Sequence, residues 1–210
     1  MKVIYLVRHA ESMENVQVYR CDRAMDRITA YRLPRCGDLC AASRLLCCNV
    51  DSPLSPAGEG QLLDVRGQLQ AAGFEEKSGI ELAVHSTYQR AARTCRELFG
   101  SRCPTVALQE IVERTPWEAM TQEWRFRRRL RWFRSWLAER PEWCIVVVGH
   151  GYFFQHLLAG TNNPEPMANV EVRRCSFNPS SLHFSDVELL FEPAEQYSSE
   201  TGDDTDSFSV

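Results

Sequence analysis

Lysine is almost missing. Of 24 basic side chains only Lys2 and Lys77 are lysines; the rest are arginines. Planar guanidinium groups suit bidentate phosphate contacts, but for most of these arginines codon bias or surface solubility is the expected reason. Other absences narrow the class. No apolar run is long enough to cross a bilayer. The N-terminal apolar stretch, Val3 to Val7, is too short for a signal-peptide core, so a cytoplasmic protein is expected, with no membrane partner. No Asn-x-Ser/Thr acceptor is usable, because Asn178 precedes a proline, and no internal repeat is present. Nine cysteines, an odd number without a secretory signal, argue against a disulfide framework. Cys36, Cys40, Cys47 and Cys48 cluster, but lack a zinc-finger spacing and a nearby histidine, so free thiols and no metal are expected.

What is present is a 210-residue chain, 44% apolar and 25% charged, the profile of one globular domain. The formal net charge is −4; residues 186–210 hold eight carboxylates and no Lys or Arg, so the remainder is net +4. That acidic, Ser/Thr-rich stretch is expected to be a disordered tail. The domain itself is expected to span 1–185, with 13–50 a long Arg- and Cys-rich loop or lid with some helix.

Short β-branched runs at 2–7, 80–84, 104–108 and 145–148 read as strands, with two more at 170–174 and 181–185. Helical patterns lie between them. DSPLSPAGEG leads into a helix over 56–72, and another spans 88–99. The clearest covers 121–139, where Phe126, Leu130, Phe133 and Leu137 recur at i, i+4, i+7 and i+11. Its arginines mostly occupy other faces, expected to be solvated. The five tryptophans crowd 117–143 and are mostly expected to be packed or half-buried. Strands alternating with helices predict an α/β fold around a largely parallel sheet.

Two strands deliver histidines to their carboxyl ends, where open α/β sheets bind ligands. LVRHAES presents Arg8 and His9; VVVGHG presents His150 between two glycines that could free backbone for a ligand. HSTYQRAART places Arg90 in the first turn of a helix, an anion-favouring position. LQEIVER adds Glu110 and Glu113 after the short third strand. His85 and His156 read as structural, and His183 has no assigned role. The set points to an anionic ligand. Nucleic acid is not expected, since no recognised binding module accompanies the Arg-rich helix.

Taken in order, LVRHAES with Asn15, DSPLSPAGEGQ, HSTYQRAART and VVVGHG resemble the histidine phosphatase superfamily, on the branch that includes the phosphoglycerate mutases, over about residues 1–160. The resemblance implies a three-layer α/β/α sandwich around a mixed, largely parallel sheet. It implies His9 as the nucleophile that becomes phosphohistidine, Arg8 and Arg90 as the phosphoryl grip, His150 as a second donor and Asn15 as an auxiliary contact. Glu110 best matches the leaving-group acid, with Glu113 the alternative. No cofactor or metal is implied. The implied activity is a phosphatase acting on a phosphorylated small molecule or phosphoprotein; mutase-type transfer and a non-catalytic phospho-ligand or protein-binding scaffold are the alternatives. Only 39 residues separate Glu110 from His150, and mutases generally carry a long insertion there, which favours hydrolysis. Ala10 replaces the family's usual glycine, and Pro116-Trp117-Glu118-Ala119 departs from its Gly-x-Trp-Glu-Gly segment. Oligomeric state is left open.

Overall fold

β-Branched residues fill the strands that end up covered on both faces. β1 (Lys2–Arg8), β2 (Leu82–Ser86) and β4 (Cys144–Gly149) read as continuous apolar runs because neither side of them meets water. The computed structural model describes residues 1–19, 51–100 and 102–194. Its six strands stand in the order β3-β2-β4-β1-β5-β6, with β3 at Thr105–Leu108, β5 at Val172–Asn178 and β6 at His183–Phe191. The first four are mutually parallel; β5 and β6 add antiparallel. The carboxyl ends of β1, β2, β3 and β4 therefore share one edge.

Alternation along each strand splits the core in two. Ile4, Leu6, Val84, Ile145 and Val147 face one side, where they meet α5 (Glu123–Glu139) and α6 (Gly151–Leu157). Tyr5, Val7, Ala83, Val146 and Val148 face the other, covered by α1 (Pro56–Ala71) and α3 (Gln89–Phe99). The result is the expected three-layer sandwich. On α5 the four expected apolar positions are all buried. Phe126 and Phe133 are fully enclosed, each worth about 2–3 kcal/mol of transfer free energy. α1 begins as its sequence implies: Ser55 accepts from the Gly58 amide, and Pro56 occupies the first turn. Gly58 has no substitute, since a Cβ there would sit 2.1 Å from the Glu11 carbonyl oxygen. Gly73, at φ 60°, stops that helix and starts the short α2 (Phe74–Ser78), which was not expected.

Two expectations change, and a third lies mostly outside the described residues. The tail does not begin at 186: β6 runs on to Phe191, because Val187 packs in one core while Leu190 and Phe191 pack against the other. Alternating apolar residues outweigh the local acidic composition there; 195–210 lie outside the described residues. Of the segment expected as a loop or lid with some helix, 13–19 is helical, and 20–50, with its cysteine cluster, also falls outside. Finally, the tryptophans are less packed than their spacing implied: Trp124, Trp132 and Trp143 are exposed at 57%, 39% and 60%. Among the described residues no helix is long and apolar enough to cross a membrane.

Candidate active site

Parallel pairing puts Arg8 beside Gly149 and His85 beside Val148, so His9, Ser86 and His150 emerge together at the sheet edge. His9 is held on every polar side. Its amide donates to the Gly149 carbonyl at 2.9 Å, and its own carbonyl accepts from Asn169 Nδ2 at 2.9 Å. Nδ1 lies 2.7 Å from the Ala10 carbonyl. A carbonyl can only accept, so the ring proton belongs on Nδ1 and the lone pair on Nε2. That lone pair meets Arg90, whose Nε donates to it at 3.2 Å. Burial holds the His9 ring in its neutral form, its pKa well below the ordinary histidine value, and Arg90 and Arg8 push the same way.

His150 is fully buried, its ring centre 5.0 Å from that of His9. Its Nε2 is 2.8 Å from Ser86 Oγ, which also accepts from the Tyr88 amide at 3.3 Å. When that hydroxyl turns its hydrogen to His150 Nε2, the ring carries its proton on Nδ1. Nδ1 is buried with no protein partner among the described residues. Burial, then His9, Arg90 and Arg8, keep this ring neutral too.

The arginines are fixed differently. Arg8 Nη1 donates to the Met167 carbonyl at 2.6 Å, while its Nε is buried without a partner among the described residues. Arg90 is 3% exposed; its Nη1 lies 2.7 Å from Glu14 Oε2, and its guanidinium sits 5.0 Å from the Tyr88 ring centre. The two glycines around His150 have packing reasons rather than the expected ligand-facing one. A Cβ at Gly151 would sit 3.2 Å from Arg8 Nε, and one at Gly149 2.8 Å from the Phe154 ring. Asn15 accepts through Oδ1 from the amide and hydroxyl of Ser12, closing the turn that brings Glu14 to Arg90.

Glu110 and Glu113 part company. The 3-10 turn Gln109–Ile111 buries Ile111 and faces Glu110 into a neighbouring cavity, where Arg129 holds its carbonyl at 2.9 Å. Three residues later the chain has returned: Glu113 accepts from the Arg114 amide at 3.0 Å and the Tyr152 amide at 3.4 Å. Tyr152 follows His150 by two residues, so this carboxyl stands at the foot of α6. Burial raises its pKa, opposed in part by those two amides, Arg8 and Arg90. Arg8 and Arg90 thus act on Glu113, while Glu110 lines the neighbouring cavity with Arg125, Arg128 and Arg129. His85, His156 and His183 bond only nearby backbone carbonyls. Among the described residues no cluster of His, Cys, Asp or Glu is arranged to hold a metal.

Residues 39–142 match the family model of the histidine phosphatase superfamily (branch 1). The chain belongs to this superfamily. The matched stretch stops short of both site histidines, so their roles rest on the geometry above. No curated protein matches the chain. Among solved structures, Bacillus stearothermophilus YhfR aligns over 92% of this chain and 98% of its own, at TM-score 0.57 and 16% identity. A mycobacterial glucosyl-3-phosphoglycerate phosphatase aligns over 92% and 100%, at 0.54 and 14%. The protein histidine phosphatase SixA, solved with tungstate, aligns over 91% and 96%, at 0.53 and 12%. At such identities the likeness establishes the histidine phosphatase fold; membership of the superfamily sets the chemistry as phosphoryl transfer in general.

Several contributors escaped the sequence. Asn169 and Met167 lie beyond the segments that carry the resemblance. Ser86 was within reach: the second strand ends two residues later than its apolar run, and that shift puts Ser86 at the sheet edge. Glu14 had no signal, since its partner is 76 residues away.

Proposed function

We propose that this protein is a phosphomonoester hydrolase working through a phosphohistidine on His9. The observation that carries the reading is the His9 ring, neutral, with its proton fixed on Nδ1 and its Nε2 lone pair turned to Arg90 at 3.2 Å. Arriving as a dianion, a substrate phosphoryl group takes over the Arg90 N–H groups and frees that lone pair. Arg8 Nε and His150 Nδ1–H, both without protein partners among the described residues, donate to the equatorial oxygens. Asn15 lies close by on the Ser12 turn as an auxiliary donor.

Nε2 attacks phosphorus in line as the ester P–O bond breaks. Glu113, protonated more readily than an ordinary carboxyl, gives its proton to the departing oxygen. The same carboxylate then takes a proton from water; the water oxygen bonds to phosphorus, the P–N bond breaks, and phosphate leaves. We take Glu113 rather than Glu110 as the acid because it stands at the foot of α6, two residues from His150, with Arg8 and Arg90 acting on it. A panel of small phosphomonoesters and phosphopeptides, with release of inorganic phosphate as readout, tests this. Turnover that vanishes in a folded His9→Ala variant supports the reading. Unaltered turnover in that variant refutes the nucleophile; conversion of 3-phosphoglycerate to 2-phosphoglycerate without phosphate release makes the protein a mutase.

A further inference from the structure

Between the 3-10 turn and α5 lies a cavity of about 510 Å³, within the range that holds nucleotide-sized ligands. Two of its walls are the exposed rings of Trp124 and Trp132. Two more are Arg125 and Arg128. Most arginines nearby are neutralised: Arg114 and Arg127 share Glu123, and Arg129 holds Glu118 at 2.8 Å. Arg125 and Arg128 have no carboxylate partner among the described residues; Arg125 lies 5.4 Å from the Trp124 ring centre. Glu118 is occupied by Arg129, which leaves Glu110 as the free acceptor in the wall.

Two residues of the cavity wall link it to the reaction site. Gln109, in its wall, accepts from Thr87, the residue after the Ser86 that holds His150. Arg129, also in its wall, binds the carbonyls of Glu110 and Val112, next to Glu113. A substrate whose ester oxygen met Glu113 would carry its leaving group towards this cavity.

We propose that the cavity is the leaving-group subsite and takes a nucleoside bearing a second phosphoryl group. The base stacks on Trp124 and Trp132; the second phosphoryl group binds Arg125 and Arg128; Glu110 accepts from a ribose hydroxyl or base amino group. Flat rings reward stacking and guanidinium forks reward phosphate oxygens, and a carboxylate among them disfavours a ligand that is anionic throughout. The proposal rests on the phosphatase reading, and its test separates the two.

The full chain is assayed with adenosine 3′,5′-bisphosphate, adenosine 5′-monophosphate, glycerol 3-phosphate and a phosphotyrosine peptide. The expected result is a kcat/KM for the bisphosphate at least about tenfold above that for the monophosphate, a ratio that collapses towards one in Arg125→Gln/Arg128→Gln. A ratio near one in the native protein, a ratio the double variant leaves intact, or a preference for the peptide overturns the subsite. Failure to hydrolyse any of the four counts against the phosphatase reading instead. Binding then decides the subsite by tryptophan fluorescence titration with the bisphosphate: saturable quenching that weakens about tenfold in the double variant supports it, and none overturns it.

Discussion

Replacing Glu14 with Gln should make the protein bind oxyanions more tightly. Glu14 Oε2 lies 2.7 Å from Arg90 Nη1, on the guanidinium that must turn to a phosphoryl group. A ligand dianion therefore displaces a carboxylate before it gains the arginine. At that separation two unit charges attract by about 6 kcal/mol at an effective dielectric near 20. The Glu14 side chain is 27% exposed, and desolvation and screening leave a net of roughly 1–2 kcal/mol for such a pair. Gln keeps the shape and loses the charge, so the inhibition constant of sulfate should fall about tenfold. Sulfate carries the same charge across the useful pH range, so the comparison extends to pH. Burial raises the Glu14 pKa, with Arg90 opposing and Asp51 assisting. Native sulfate affinity should therefore rise as pH falls towards the Glu14 titration, and that component should be missing in Glu14→Gln. Unchanged or weaker sulfate inhibition in the variant would refute the competition argument.

Glu113→Gln should lower kcat about 10²–10⁴-fold for alkyl phosphates but far less for 4-nitrophenyl phosphate, whose leaving group needs no proton; equal losses would remove Glu113 as the acid. Ser86→Ala should lower kcat through a His150 ring whose tautomer is no longer fixed, read as a flattened pH profile with the melting temperature within a few degrees of native; an unaltered profile would contradict that. Thermal stability should fall as pH drops below about 6.5, because His9 and His150 are held neutral when folded while the unfolded chain takes up protons, at up to about 1.4 kcal/mol per histidine per pH unit. Glu14 and Glu113, raised by burial, act in the opposite sense at lower pH and reduce the fall. A melting temperature that stays level from about pH 7.5 to 5.5 would contradict buried neutral rings.

Local patterns carried most of the fold. Strands covered on both faces must be apolar throughout, so β1 and β4 announced themselves, as did α5 through Phe126, Leu130, Phe133 and Leu137. Where composition and packing competed, the sequence misled: 186–210 is acidic overall, yet its first residues pair with β5, since Val187 packs in one core while Leu190 and Phe191 pack against the other. The site residues at strand ends, Arg8, His9 and His150, were legible because strand termini are. Choosing between Glu110 and Glu113 was not, because a single 3-10 turn sends Glu110 into the neighbouring cavity and Glu113 to the foot of α6. The glycines at 149 and 151 were noticed for the wrong reason; their neighbours, Phe154 and Arg8, become visible only in three dimensions. Glu14 on Arg90 and Asn169 on His9 are contacts across long sequence separations that no local pattern encodes.

The central claim is that the phosphoryl group rests on the His9 imidazole. Rapid acid-free quenching during turnover of a ³²P-labelled phosphomonoester, followed by peptide mass spectrometry, tests it directly. The account predicts an alkali-stable, acid-labile phosphoryl group on the peptide containing His9, with none in His9→Ala. Label on a serine, a cysteine or His150, or full turnover with His9 replaced, would contradict it.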